Sequence, residues 1–303
     1  MDPFQSIIVG VDYSDCSRNA LKEASRLAAW HQAKLICLHV FEEEIMNDFN
    51  DHYEFDRDQI LNDASDHLER HVAGIVGDQH FETKVVIGYP FKEILDEVAV
   101  SKADLLVLGS RGHRQTDHRK TGVFVAKCIR KAPVEVLLVH EQQDGPFHSI
   151  VACVDFSENS KLAAERAVAI AKQDGASLEL LHAFATPFMP DGSSLGPSVF
   201  MTPLDTAPMI EAATNHLQEW ADDLVGSSPD KLDIKVTVKE GISTGNVIVN
   251  HLRDTKADLA VLGTRGRTAL RKLLLGSTAE RLIHEAPCST LAAKPEGFEY
   301  ELQ

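Results

Sequence analysis

Leu259-Ala-Val-Leu-Gly263-Thr-Arg-Gly266-Arg-Thr-Ala-Leu-Arg-Lys-Leu-Leu-Leu-Gly276-Ser277-Thr278 runs from an apolar strand pattern through a basic glycine turn into a helical pattern, Ala279-Glu-Arg-Leu-Ile283. Strand, turn and helix in that order are the unit from which parallel α/β sheets are built. The unit is also a phosphate-binding device. Glycines let backbone N–H groups approach an anion, and the unpaired N–H groups of a helix's first turn point at it. The segment carries Arg265, Arg267, Arg271 and Lys272 and no acid, in a chain of 303 residues with formal net charge -16. A basic pocket in an acidic protein indicates an anionic ligand.

The unit occurs twice, because the chain is duplicated. Ser6-Ile-Ile-Val-Gly-Val-Asp12-Tyr-Ser14 matches Ser149-Ile-Val-Ala-Cys-Val-Asp155-Phe-Ser157, and Leu38-His39 matches Leu181-His182, both at an offset of 143. Lys102-Ala-Asp-Leu105 matches Lys256-Ala-Asp-Leu259 at an offset of 154, and Gly109, Arg111, Gly112 and Gly122 match Gly263, Arg265, Gly266 and Gly276. The offset grows by eleven (154 − 143), so the second copy carries a net insertion before its glycine loop. Residues 186–208, with Pro187, Pro190, Pro203, Pro208, Gly192 and Gly196, have the loop chemistry expected of it. Placed after a second strand, such a loop can cover the ligand edge or be a surface excursion.

Each copy alternates strands and helices. In the first, Ile7–Val11 is a short buried-strand pattern ending at Asp12, and Ser14 or Asp15 can cap the helix that follows. Ala20, Leu21, Ala24, Leu27 and Ala28 give that helix one apolar face. Lys34–Val40 is the second strand. Residues 42–69 hold eleven acids and one base, Arg57, and read as an exposed crossover leading into a solvated helix that ends near Val76. Strands at Lys84–Ile87, Leu105–Leu108 and Val134–Val139 alternate with helices at Phe91–Val100 and Val123–Lys131, and residues 140–148 form a linker. The alternation predicts parallel sheets with helices on both faces. Ligands of such sheets bind beyond the carboxyl ends of the strands. Asp12 or Asp155, the segment after Leu-His and the glycine loop all fall on that edge.

Composition narrows the function. Hydrophobic content of 44% and charged content of 25% are those of an ordinary globular chain, long enough for two domains. The acidic balance opposes general nucleic-acid affinity. Cysteines 16, 37, 128, 153 and 288 are scattered and form no CxxC pair. A zinc site or disulfide framework is not expected, and a reducing, cytoplasmic setting is. The first residues lack a signal-peptide pattern, and no apolar run has the length of a membrane span. The Walker, GxGxxG and GxSxG signatures are missing. His113 and His118 are five apart without an evident third metal ligand, His39 and His182 recur as shared packing, and Cys16 reads as a passive thiol.

The Gly-x2-Gly-x9-Gly-Ser spacing, the Asp closing the first strand and the strand–helix order resemble the universal stress protein family over nearly the whole chain, and the duplication resembles its tandem members. The resemblance implies two tandem domains, residues 1–143 and 144–303, each a five-stranded parallel sheet with helices on both faces, of the adenine nucleotide alpha hydrolase-like, Rossmann-like kind. It implies ATP as ligand, with Mg²⁺ riding on the phosphates, and pairing of the two domains through their fifth strands. A further homodimer and an unidentified protein partner stay open. Carried over residue by residue, Asp155 contacts the ribose and the backbone at Ala183 the adenine. Leu262 and Gly263 lie beside the nucleoside. Gly266, Gly276, Ser277 and Thr278 cradle the triphosphate, with Arg265 in the same loop. Ser277 and Thr278 can also be plain helix caps. In the first copy Val123-Phe124 stands where the second has Ser277-Thr278, so that site is expected to bind ATP weakly or not at all. Three functions remain: a nucleotide-binding stress regulator, a slow ATPase or self-modifying phosphotransferase on the same site, and a scaffold with vestigial pockets.

Overall fold

A computed structural model of the chain describes residues 3–44, 56–112, 123–186, 188–190, 201–203, 205–226, 232–264 and 275–294. The first half runs β1 (Ser6–Gly10), α1 (Asp15–His31), β2 (Lys34–Glu42), α2 (Arg57–Val76), β3 (Glu82–Gly88), α3 (Pro90–Val100), β4 (Leu105–Gly109), α4 (Val123–Lys131) and β5 (Glu135–Val139). The second runs β6 (Ser149–Cys153), α5 (Glu158–Asp174), β7 (Ser177–Ala185), β8 (Phe188–Pro190), β9 (Met201–Pro203), α6 (Ala207–Val225), β10 (Ile234–Gly241), α7 (Thr244–Thr255), β11 (Leu259–Gly263), α8 (Ser277–Glu285) and β12 (Ser289–Ala293). Short β8 and β9 pair antiparallel within the region read as an insertion.

The main sheet has ten strands in the order β10-β7-β6-β11-β12-β5-β4-β1-β2-β3. Within each half of this main sheet every pairing is parallel. Between halves, β12 runs antiparallel to β5 with Thr290 opposite Leu138, Leu291 opposite Leu137 and Ala292 opposite Val136. The two five-stranded sheets are thus continuous, and the edge that a fifth strand would expose is covered by its counterpart.

Strand residues alternate between faces. Ile7 and Val9 enter one core and Ile8 another. On the first face a single core spans both halves, drawing on α1, α2, α5 and α6. On the other, one cluster lies around α3 and α4 and one around α7 and α8, and Leu275 packs against both. The linker does more than connect. Phe147 is only 1% exposed and joins the shared core, and its N–H donates to Asp174 at 2.8 Å. Helix α2 buries only Leu68 and Val72, in line with its acidic sequence, and Asp56 caps it.

One buried polar group differs between halves. In the first, Lys84 of β3 pairs with Glu97 of α3. In the second, the position equivalent to Glu97 is His251, and the carboxylate has moved to Glu179 on β7. Its Oε1 lies 3.1 Å from both Lys235 and His251, and Thr237 donates to it. Burial pushes the Glu179 carboxyl up, but polar contacts with His251, Thr237 and Lys235 overcome this and hold it at about 2. A carboxylate depressed in the fold stabilises above its unfolded pKa, about 4.3, and that contribution is lost as pH falls through the folded value. In acid titrations followed by circular dichroism, Glu179→Gln should therefore be less stable than the parent at neutral pH. The difference should shrink between about pH 4 and pH 2. A difference independent of pH would contradict this assignment.

Candidate functional site

Register brings the expected residues to one edge. Cys153 of β6 stands opposite both Leu181 of β7 and Leu262 of β11. Two residues further on, Ala183, Asp155 and Thr264 fall level at the carboxyl ends of three adjacent strands, with Gly263 just inside. Ala183 and Leu262 are buried in the core under α7 and α8. Asp155 is half-buried and already organised. Its Oδ1 accepts from the Ser157 N–H at 3.0 Å and from the Ser157 hydroxyl at 2.5 Å. Ser157 in turn caps α5, accepting from Ser160 N–H at 3.2 Å. Asp12 and Ser14 repeat the arrangement at 3.0 and 2.6 Å, and Ser14 caps α1.

Arg265 and Gly266 lie outside the described residues, as does the rest of residues 267–274. The two ends of this loop meet: Gly276 N–H donates to Thr264 O at 3.3 Å, and Thr264 N–H to Ala293 O at 3.2 Å. Gly276 is the N-cap of α8, with φ -64° and ψ 144°, and no side chain caps that helix. Ser277 is exposed and Thr278 half-buried in its first turn. The contrast with α1 and α5, both capped by serine, is direct.

The described glycines of the two loops have different reasons to be glycine. A Cβ on Gly263 would stand 2.9 Å from Asn159 Nδ2 and 3.0 Å from the Asn159 carbonyl atoms. On Gly109 it would meet the backbone carbonyl carbon and Cβ of Cys16 at 2.8 Å. Both glycines let a strand end pass the first turn of α5 or α1. A Cβ on Gly276 would have no atom of the described residues within 4 Å, and its backbone is one that any residue adopts.

The first copy is built differently at the mouth. Arg111 is buried, with Nη2 3.1 Å from His140 Nε2 and 3.1 Å from Glu141 Oε1. Burial, with Arg111 adding to it, pushes the His140 imidazole down, which favours the neutral acceptor that a guanidinium needs. A Cβ on Gly112 would come 3.0 Å from Asp12 Oδ2, so a glycine leaves the carboxylate room that a larger residue would take. Phe124 packs into the cluster around α3 and α4. His113 and His118 lie outside the described residues, and among the described residues no group of three His, Cys, Asp or Glu is placed to hold a metal ion. Burial pushes the Cys16 thiol up, against an activated role.

Sequence reasoning missed an aromatic cluster on the opposite face of the sheet. Phe156, directly after Asp155, has its ring 4.6 Å from His182, 4.4 Å from His216 in parallel stacking and 5.5 Å from Trp220. Tyr13 is surrounded by His39, His67 and His71 at 4.9, 4.9 and 5.0 Å. The signal was present: His67 and His216 recur at an offset of 149, between the two offsets already found.

A profile described as the universal stress protein family matches residues 3–140 and 146–294. A universal stress protein of Mycolicibacterium smegmatis is 23% identical over 300 residues, which covers 95% of this chain and 97% of that one. Universal stress protein E of Photorhabdus laumondii is 28% identical over 224 residues, 69% of this chain and 67% of its own length. Among solved structures, a universal stress protein from Archaeoglobus fulgidus superposes with a TM-score of 0.62 at 18% identity, covering 95% of this chain and 98% of that one. At that identity the likeness concerns the fold. No described helix is long and apolar enough to cross a membrane.

Proposed function

The chain belongs to the universal stress protein family, and from that premise we propose that its second half, residues 144–303, binds ATP and uses it to alter contacts with a protein partner in the cytoplasm. The observation that carries this reading is Gly276. Among the described residues it is glycine without a conformational or packing reason, at an uncapped helix start, on the same sheet edge as an organised carboxylate. Room for backbone to approach a phosphate supplies the missing reason. In this reading Asp155 accepts from the ribose hydroxyls, and the backbone at Ala183 meets the adenine. Leu262 and Gly263 floor the nucleoside, and Gly276, Ser277 and Thr278, with Arg265 and Gly266 of the loop, hold the phosphates. Mg²⁺ arrives on the phosphates and neutralises part of their charge. All five cysteines are free thiols, in keeping with a reducing compartment.

Binding is favoured over catalysis because Asp155 is already engaged by two donors from Ser157. That orientation suits recognition of a diol more than abstraction of a proton. The first half, residues 1–143, binds ATP weakly or not at all, since Arg111 is turned onto the linker and Val123-Phe124 stands where the second half has Ser277-Thr278. Isothermal titration with ATP and Mg²⁺ tests both statements. One site per chain is expected, abolished by Asp155→Ala and retained in Asp12→Ala. Two equal sites, or none, would overturn the reading. Multiple turnovers that disappear in Asp155→Asn would move the protein to the ATPase class.

A further inference from the structure

We infer that His182 is a positioning residue for Asp155, the group that meets the sugar; this rests on the ATP reading above. The residue after the carboxylate is in an unusual state. Phe156 has φ +62°, and Tyr13 in the first copy has the same value. The left-handed region costs a bulky residue free energy and persists only where its surroundings enforce it. No glycine or asparagine at these positions announces it. The chain must therefore be held, and His182 holds it on both sides of Asp155. Its Nδ1 lies 2.7 Å from the carbonyl oxygen of Val154, immediately before the carboxylate. A carbonyl only accepts, so Nδ1 carries the proton. The same ring packs 4.6 Å from Phe156, immediately after it.

The bracket is reinforced from α6, where His216 stacks on Phe156 and Trp220 meets its edge. With Val154 pinned and Phe156 clamped, Asp155 has little freedom. Its Oδ1 is then fixed by the two donors of Ser157. His182 itself cannot touch a nucleotide at Ala183. Successive strand residues point to opposite faces, and Ala183 enters the cluster under α7 while His182 joins the rings under α6. The first copy repeats the device, with His39 Nδ1 2.7 Å from Val11 O and its ring 4.9 Å from Tyr13. A contact conserved between halves that differ at the cradle belongs to the carboxylate turn, which both keep.

Two substitutions separate the hydrogen bond from the packing. His182→Phe keeps a ring against Phe156 but cannot donate. His182→Asn places an amide N–H near the Nδ1 position without the ring. In titrations with ATP and Mg²⁺, at a temperature where both proteins are folded, His182→Phe should bind about tenfold more weakly than the parent. His182→Asn should recover most of the affinity. A second readout does not need the nucleotide: in the unliganded protein, Ser157 N–H exchange should be about tenfold faster in His182→Phe and near the parent rate in His182→Asn. If the parent fails to bind ATP, the ATP reading falls and the exchange rates alone decide the role of His182. Parent-like exchange in His182→Phe, or parent-like affinity where ATP does bind, overturns the inference.

Discussion

Gly276→Val should abolish ATP binding while leaving the fold intact, and Gly263→Val should destabilise the fold itself. At Gly276 the backbone is extended and a new Cβ meets no atom of the described residues within 4 Å, so they leave room for the side chain. In the ATP reading the same volume is where a phosphate comes within hydrogen-bond reach of backbone N–H groups. Losing two such charge-assisted bonds weakens affinity by about a hundredfold or more. At Gly263 the added atoms would press on the backbone of Asn159 in the first turn of α5. Backbone cannot rotate away as a side chain can, so the strand end and the helix must separate. Overpacking of that kind costs about 1–3 kcal/mol or more. Thermal melts and ATP titrations on both variants check the pair. A destabilised Gly276→Val that still binds, or a Gly263→Val that melts like the parent, would show the assignments to be reversed.

The two glycines mark how far sequence carries. Both occupy repeated positions of one motif, and spacing alone treats them alike. What separates them is the distance from Gly263 to Asn159, a residue more than a hundred positions earlier, which leaves no mark in local pattern. The elements themselves were legible because they depend on short-range periodicity. Apolar runs such as Ile7-Ile-Val9 gave strands, and the apolar face from Ala20 to Ala28 gave α1, which Ser14 caps as its position implied. The duplication was legible because two copies share most of their landmarks. The linker was legible only as a connection. Its Phe147 is a core residue of both halves, and a single phenylalanine among Gln, Asp, Gly and Pro carries no periodicity. The left-handed turn at Tyr13 and Phe156 left no trace either, since neither residue type favours it. Its restraint comes from His39 and His182, each 28 residues distant from the carbonyl it engages.

Arg166→Ala should destabilise the joined sheet by about 3–5 kcal/mol, the usual consequence of stripping the partner from a buried charge. Arg166 belongs to α5 in the second half and Glu135 to β5 in the first. Its Nε donates to both oxygens of Glu135 at 2.8 and 3.0 Å, with the two side chains only 14% and 9% exposed. The guanidinium also lies 4.2 Å from the ring centroid of Phe4. Burial pushes the Glu135 carboxyl up even with Arg166 opposing it. Without Arg166 nothing opposes burial from that side, and the carboxyl is pushed further toward its neutral form. An acid whose folded pKa is raised binds its proton more tightly when folded, so the variant should regain stability as pH falls through that value. The defect in Arg166→Ala should therefore be largest near neutral pH and smaller in mild acid. Arg166→Met combined with Glu135→Leu should recover most of the loss, because a well-packed apolar pair replaces a buried ion pair at little cost. Denaturant melts of the three proteins at two pH values decide it. A loss in Arg166→Ala that is below about 1 kcal/mol, or one that the double substitution deepens, would mean that the pair does not hold the halves together.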